Sequence, residues 1–408
     1  MLQIKPILRA LKRHKAGTVL IVLQIALTLA IVCNALFIIN ERVARMSRPT
    51  GMDESNLLVI QNHWVGASAQ IIPTLTKADL LTLRRLPGVE DATQINAYPL
   101  GNKSTTEGIR LDPNVKPYIS LAAEYFVDDH TLTTMGVQLV AGRNFRADEI
   151  HAIDPQMERP ASEVIITEAL ADKLYPSGNA LGKPIYIGND SPSPSTVIGI
   201  VGRLQAPSPN TSFVDCAVLL PSLLANDDGS YLIRSKPGQL ATIAKDAPAA
   251  LIKLDRMRVF LPEHGIQTFD VVRAEAYKSD RGLAMVLGSI CVVLLIITGA
   301  GIVGLTSFWV GQRRKQIGVR RALGATRGDI LAYFLTENLL LSLIGLLIGT
   351  VLGICLSEWL VIRFEMQRLS FLYLLTSSVV LLLLGQAATL NPAFKASRVP
   401  PVEATRSV

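Results

Sequence analysis

Residues 312–330 read QRRKQIGVRRALGATRGDI. This stretch decides the fold. It is short and strongly basic, and long apolar runs flank it on both sides. It cannot cross a bilayer, so it forms a tight elbow on one side of a membrane between two spanning helices. At 100° per residue, Arg313, Arg314, Arg320 and Arg321 fall on one arc of about 120°. Val319, Ala322 and Leu323 fall opposite. Gly324 can close the short helix as a left-handed cap. Thr326 and Asp329 then form a capping pair that opens the next helix. The pattern predicts helix, turn, helix, with the first part lying along the membrane. A basic loop resting on anionic lipid is the plainer alternative.

Beside the elbow, residues 282–311 hold no charge and read as a spanning helix. On the other side residues 330–357 form a second, residues 358–368 a short loop, and residues 369–390 a third. Residues 391–408 are a short basic tail. Helix 330–357 carries Gly345, Gly349 and Gly353, a repeated small-xxx-small stripe that lets another helix approach closely. It serves packing within the monomer or dimerisation. Glu337 lies in the first turns of this helix at the membrane interface. An ionisable residue there is a functional candidate or the partner of a nearby arginine.

At the other end of the chain, residues 1–16 place Ile4, Ile7, Leu8 and Leu11 on one face and Lys5, Arg9, Lys12 and Arg13 on the other, a basic amphipathic helix. Residues 17–40 hold no charge before Glu41 and form the first spanning helix, with Gln24 and Asn34 facing neighbouring helices. The fold class is therefore a membrane protein with four transmembrane α-helices. A large extracytoplasmic domain lies between the first and second.

That domain, residues 41–281, has ordinary soluble composition. β-like runs recur at 56–61, 163–167, 184–188, 195–202, 213–220 and 231–234. Helical patterns fall at 77–86, opened by a Thr76/Asp79 capping pair, at 167–174 and at 239–254. Mixed strands and helices predict an α+β domain, large enough for two subdomains. The segment 189–194, NDSPSP, reads as a surface loop.

The charges orient the chain. Its 408 residues are 49% hydrophobic, with a net charge of +7. Residues 1–16, 311–329 and 391–408 carry fourteen Lys/Arg against two acids, so the remainder is net acidic. By the positive-inside rule both termini and the elbow are cytoplasmic and residues 41–281 are outside. The basic balance is thus a topology signal and not a sign of nucleic-acid binding. The four Cys give no disulfide framework, since only Cys216 lies in the polar domain. GNALGK at 178–183 is one residue short of a phosphate loop, and Pro184 stands where a Ser/Thr would hold magnesium. His130, beside Asp128 and Asp129, reads as a solvated surface run. No nucleophile, base or metal set supports an enzyme.

QIGVRRALGATRGDILAYFLTENLLL, residues 316–341, resembles the signature of the FtsX/MacB-type ABC transporter permeases. Ile317, Gly318, Arg321, Ala322, Leu323, Gly324, Ala325 and Glu337 match. Gln316 stands where that family usually has an acid. MGVQLVAGRNF (135–145), EVIITEALADKLYPSGNALGKPIYIG (163–188) and STVIGIVG (195–202) resemble stretches of the family's periplasmic domain. PAFKASRVPPVEATR (392–406) resembles its usual ending.

The resemblance implies a multi-pass protein of the bacterial inner membrane. It implies a homodimer, or a heterodimer with a related permease, that works with separate ABC ATPase subunits. ATP and magnesium would be held on the ATPase, and this chain would bind no cofactor. Residues 312–329 would be the coupling helix and turn, with Arg313, Arg314, Gln316, Ile317, Gly318, Arg320, Arg321, Ala322, Leu323, Gly324 and Ala325 coupling it to the ATPase. Force would pass to the periplasmic domain by mechanotransmission. The leading cargo is antibiotics or peptides for efflux, through a periplasmic adaptor and an outer-membrane channel. Lipoprotein release and control of cell-wall hydrolases are the alternatives within the family. A membrane sensor or scaffold working without nucleotide is the alternative outside it.

Overall fold

A computed structural model describes residues 15–103, 105–114, 117–153, 161–188, 193–225, 229–364 and 368–400. The amphipathic pattern at 1–14, the end of the basic tail from 401, and residues 189–192 of the expected surface loop lie outside them. In chain order the elements are α1 Lys15–Met46, β1 Leu57–Gln61, β2 His63–Trp64, α2 Ile72–Arg84, β3 Val89–Ile95, β4 Thr105–Arg110, β5 Ser120–Val127, α3 Thr131–Met135, β6 Leu139–Gly142 and β7 His151–Ile153. Next come β8 Glu163–Thr167, α4 Glu168–Leu174, β9 Pro184–Ile187, β10 Ser195–Val201, β11 Ala217–Leu224, β12 Ser230–Ser235, α5 Leu240–Leu254, β13 Arg258–Val259, β14 Ile266–Thr268 and α6 Phe269–Ala276. The chain closes with α7 Lys278–Gln312, α8 Arg314–Ala322, α9 Arg327–Phe364 and α10 Phe371–Ser397. Two compact units result: residues 47–278, and the helices on either side of them in sequence.

Among the described residues four helices, α1, α7, α9 and α10, are long and apolar enough to cross a membrane. They outrun the expected spans. α1 continues through Glu41 to Met46, and α7 begins at Lys278. α9 reaches Phe364 and α10 reaches Ser397, so much of the expected 358–368 loop is helix. The apolar run marks only the part of a helix that meets lipid. Charged helix formers extend it beyond. Arg42 donates to Asp280, and Arg45 lies 3.8 Å from the same carboxylate, which joins the extensions of α1 and α7.

Within this unit α1 is the centre. Its Ile21, Ile25 and Leu29 pack with Ile302, Leu341, Leu346 and Leu381 from the other three long helices. Gln24 donates to the Ile297 carbonyl (3.0 Å), Thr28 bonds Thr298 (2.8 Å), and Asn34 donates to the Gly353 carbonyl (3.0 Å). Polar side chains on a spanning helix are thereby satisfied by neighbouring helices.

Among the described residues the 47–278 unit has two large sheets and a two-stranded ladder, β13-β2. One large sheet has strand order β14-β1-β12-β3, antiparallel throughout. In the other, β11 pairs with both β8 and β5, which closes β5-β4-β9-β10-β8-β11 on itself, with β6 on β10 and β7 on β11. Each sheet has its own core. Val164, Ile166, Ile185, Val197 and Val218 pack under α4. Leu58, Ile60, Ala92 and Ile233 pack under α2 and α5. Alternating β-branched residues supply the buried faces. Between β6 and β10, Gly142 sits at φ +80°, and a Cβ there would lie 2.2 Å from the Ile198 carbonyl oxygen. That approach aims Arg143 so that it forks onto Glu149 (2.8 Å on both arms) and reaches Glu163 (2.8 Å), with Phe145 buried beside it.

Three expectations are corrected here. Thr76 and Asp79 do not cap a helix. α2 starts at Ile72 with Pro73 in its first turn, and both residues are buried inside it. Asp79 instead accepts from both arms of Arg258 (2.8 Å each) and from the Tyr231 hydroxyl (2.6 Å), fully buried, with Arg258 stacked over Trp64. Nor is Asp128 part of a solvated run. It accepts from Arg84 (2.8 Å), Thr93 (2.6 Å) and the His130 backbone N–H (3.0 Å), and burial pushes its carboxyl above the usual range. His130 turns to Asp91 at 2.9 Å. Finally, the strand expected at 213–220 lies at Ala217–Leu224, and β3, β4 and β5 have no counterpart in the expected runs.

Candidate functional site

The elbow is a short helix closed by a cap at its C-terminal end and followed by a capped helix start. α7 ends at Gln312, and Arg313 (φ −99°, ψ 8°) breaks the helix before α8 begins. At the far end Gly324 has φ +99°. The Gly324 N–H donates to the Arg321 carbonyl (3.1 Å) and the Ala325 N–H to the Arg320 carbonyl (3.0 Å). That is a Schellman arrangement, which needs a left-handed residue and so selects glycine. Thr326 and Asp329 then exchange bonds: the Asp329 N–H donates to Thr326 Oγ1 (3.2 Å), and the Thr326 N–H donates to Asp329 Oδ2 (2.9 Å). This reciprocal pair opens α9.

The arginines do not share one outward face. Arg313 lies outside α8 and turns inward. Its Nη1 is 3.0 Å from both Glu337 oxygens, and both residues are buried. The expectation that Arg313 faces an ATPase is therefore corrected. The arc assumed one continuous helix, and the break at residue 313 rotates this side chain out of it. Arg320 stacks over Tyr333 at 4.8 Å, and Arg321 donates to the Val399 carbonyl at 2.7 Å. Ile317 inserts between Val310, Ile330, Phe334, Ala393 and Ala396, where the ends of α7, α9 and α10 meet, and Gly318 is buried beside it. Arg314 is exposed and Ala325 half-buried.

What remains outward is a stripe at helical spacing: Gln316, Val319, Arg320 and Leu323, with Ala322 beside it. Leu323 is 83% exposed. A small open pocket beside the stripe is lined by Arg313, Gln316, Ile317, Arg320, Ile330, Tyr333 and Phe334. Trp309, Tyr333 and Val399 were not singled out from sequence. Trp309 precedes Arg313 by four residues, and Tyr333 precedes Glu337 by four. One helical turn was the available signal.

The glycine stripe of α9 is occupied. A Cβ at Gly345 would lie 2.9 Å from Ile25. At Gly349 it would lie 2.8 Å from the Ala26 carbonyl oxygen, and at Gly353 3.1 Å from Cys33 Sγ. The stripe packs against α1 of the same chain, so the dimerisation alternative for these glycines is corrected. Among the described residues no group of three His, Cys, Asp or Glu is placed to hold a metal ion.

Four spanning helices, an α/β unit of periplasmic type between the first and second, and a capped elbow between the second and third define a multi-pass permease. The chain belongs to the MacB/FtsX-like permease family. The MacB-like periplasmic core domain model matches residues 18–250, and the FtsX-like permease C-terminal model matches residues 288–401. The chain is 28% identical over 284 residues to the macrolide export ATP-binding/permease protein MacB of Chromobacterium violaceum, covering 66% of this chain and 41% of that protein. It is 23% identical over 414 residues to the MacB of Vibrio parahaemolyticus, covering 98% and 59%. It thus spans about half the length of the relatives it matches. The solved periplasmic region of MacB from Actinobacillus actinomycetemcomitans is 16% identical, with a TM-score of 0.35, over 57% of this chain and 97% of that one.

Proposed function

We propose that this chain is the permease part of an ABC transporter, driven by ATP hydrolysis on an ATPase outside these 408 residues. ATP and magnesium sit on that ATPase, and this chain binds no cofactor of its own. It acts in the bacterial inner membrane, with the elbow and both termini cytoplasmic and the 47–278 unit periplasmic. The asymmetry of Lys and Arg supports that orientation. The elbow receives the ATPase's closing motion and the periplasmic unit carries it to the cargo. Efflux of antibiotics or peptides is the cargo class that the export relatives suggest, with a periplasmic adaptor and outer-membrane channel. The working form is a dimer, with this chain or a related permease, that uses surfaces other than the glycine stripe.

The observation that carries the reading is the outward stripe of α8. Val319 and Leu323 are exposed on a helix whose other face is pinned by Ile317, Arg313 and Arg321. An apolar ridge on a short helix pinned from beneath and closed by a left-handed cap is a contact surface for a groove on another protein. The test is copurification from native membranes. Wild type should bring down an ATPase, and Leu323→Asp with Arg320→Glu should lose it while still inserting. No ATPase with wild type, in conditions that preserve such complexes, refutes the proposal.

A further inference from the structure

We propose that the buried Arg313–Glu337 pair is the joint through which displacement of the elbow enters α9, and through α9 enters α1. The inference rests on the coupling role of the elbow proposed above.

Two routes lead from the elbow toward residues 47–278, one covalent and one through helix packing. One runs back along α7. The other goes forward through α9, whose partner α1 continues to Met46 and hands directly to the next unit. The two are unequally held. α9 lies in backbone contact with α1 along Gly345, Gly349 and Gly353, and Asn34 bonds the Gly353 carbonyl. α7 leaves Val286, Ile290, Val293, Ile296 and Ile297 exposed and meets α1 through side chains rather than backbone: Trp309 at Gly17, Ile302 beside Ile21 and Ile25, the bonds of Gln24 and Thr28, Cys291 beside Val32 and Ala35, and Asp280 with Arg42. A pair of helices packed backbone to backbone moves as one body, whereas one met through side chains bends or slides.

The weak point on the forward route is the turn. Gly324 has its left-handed backbone in open space, with nothing within 4 Å of a Cβ built there. A push on α8 would fold at this turn unless a second connection braced it. Ile317 packs across it on Ile330 and Phe334, Arg320 stacks over Tyr333, and Arg313 with Glu337 adds the buried charged brace. Arg313 and Glu337 stand on opposite sides of the turn, 24 positions apart, and meet through one guanidinium nitrogen at 3.0 Å from both carboxylate oxygens. Trp309 covers Arg313 at 6.0 Å, and Glu337 is 2% exposed. Out of water, such a pair resists separation, because each partner alone would be an uncompensated charge. Neither residue belongs to the outward stripe, so the pair positions the elbow and does not contact the ATPase.

The test uses the full chain in lipid nanodiscs with the ATPase it copurifies with. Two quantities are read: ATP turnover, and the ATP-dependent change in hydrogen exchange over residues 47–56, which follow α1. Glu337→Gln should lower the exchange response per ATP hydrolysed by about tenfold, and the exchanged pair Arg313→Glu with Glu337→Arg should recover most of it, as double-mutant coupling requires. Where Glu337→Gln does not fold, Arg313→Lys, which keeps the charge but not the planar guanidinium that sets its place beside Glu337, takes its place, with a smaller loss expected. A full response per ATP in either single variant overturns the joint. So does a folded exchanged pair that fails to recover it, or a loss of both readouts in proportion to a fall in melting temperature. A wild-type complex whose residues 47–56 ignore ATP overturns the coupling proposal itself, and the joint with it.

Discussion

Gly349→Ala offers a stringent test of the packing. The new Cβ would lie 2.8 Å from the Ala26 carbonyl oxygen, 2.9 Å from Ala26 Cα and 3.0 Å from Leu29 Cβ. Carbon contacts are comfortable at about 3.5–4.0 Å. Two of the three atoms are backbone, so no rotamer change relieves the clash, and α1 and α9 must part by roughly half to one ångström. Overpacking of this kind costs about 1–3 kcal/mol. Alanine returns up to about 1 kcal/mol through its higher helix propensity. The net expectation is a loss of about 1–2 kcal/mol. Gly304→Ala on α7 is the control, because nothing lies within 4 Å of its Cβ. It should be neutral or stabilised by about 0.5–1 kcal/mol. Unfolding of both variants in one detergent, by steric trapping or thermal melts, should separate them by roughly 2 kcal/mol, about thirtyfold in the unfolding equilibrium. Equal stability of the two variants would refute the close approach of α1 and α9.

Other substitutions probe separate parts of the molecule. Asp79→Asn leaves Arg258 buried without its counter-charge and should cost about 3–5 kcal/mol, seen as an early melt of the 47–278 unit. Glu149 is held down to about 2 by the Arg143 fork, from an ordinary 4.5. Its contribution is present above pH 4.5 and is lost as the pH falls toward 2. Because the fork is near the surface, Glu149→Gln should cost less than about 1 kcal/mol at pH 7, with the gap to wild type narrowing in acid melts. Gly324→Val forces a branched residue into positive φ at about 1–2 kcal/mol. It should uncouple ATP hydrolysis from transport in reconstituted vesicles. Gln316→Glu should be tolerated in the same assay, because the side chain is exposed and a carboxylate there stays solvated.

The legible features were those encoded within one or two helical turns. Gly324 and the Thr326/Asp329 pair announced both caps of the elbow, because each signal and its effect lie a few residues apart. The uncharged runs announced the spanning helices, although not their polar extensions. Illegible features depend on partners distant in sequence. Thr76-x-x-Asp79 has the spacing of a capping pair, yet Pro73 starts the helix earlier and Arg258, 179 positions on, claims the carboxylate. The arc of four arginines failed at a single backbone break, at Arg313. VEDATQI of β3 carries polar residues on a buried strand because Arg84, Asp128 and His130 meet them from elsewhere. The glycine stripe was visible as a place for close approach. Its partner, α1, was not, since periodicity identifies a face and not what covers it.

Contact between the outward stripe of α8 and an ATPase can be captured directly. A photo-crosslinking amino acid at position 323, activated in intact cells, tests it where Leu323 is most exposed. One dominant protein adduct is expected, whose peptides carry an ABC ATPase's nucleotide-binding motifs, and it should be lost on Arg320→Glu. Adducts to lipid alone, with none to an ATPase, would contradict it.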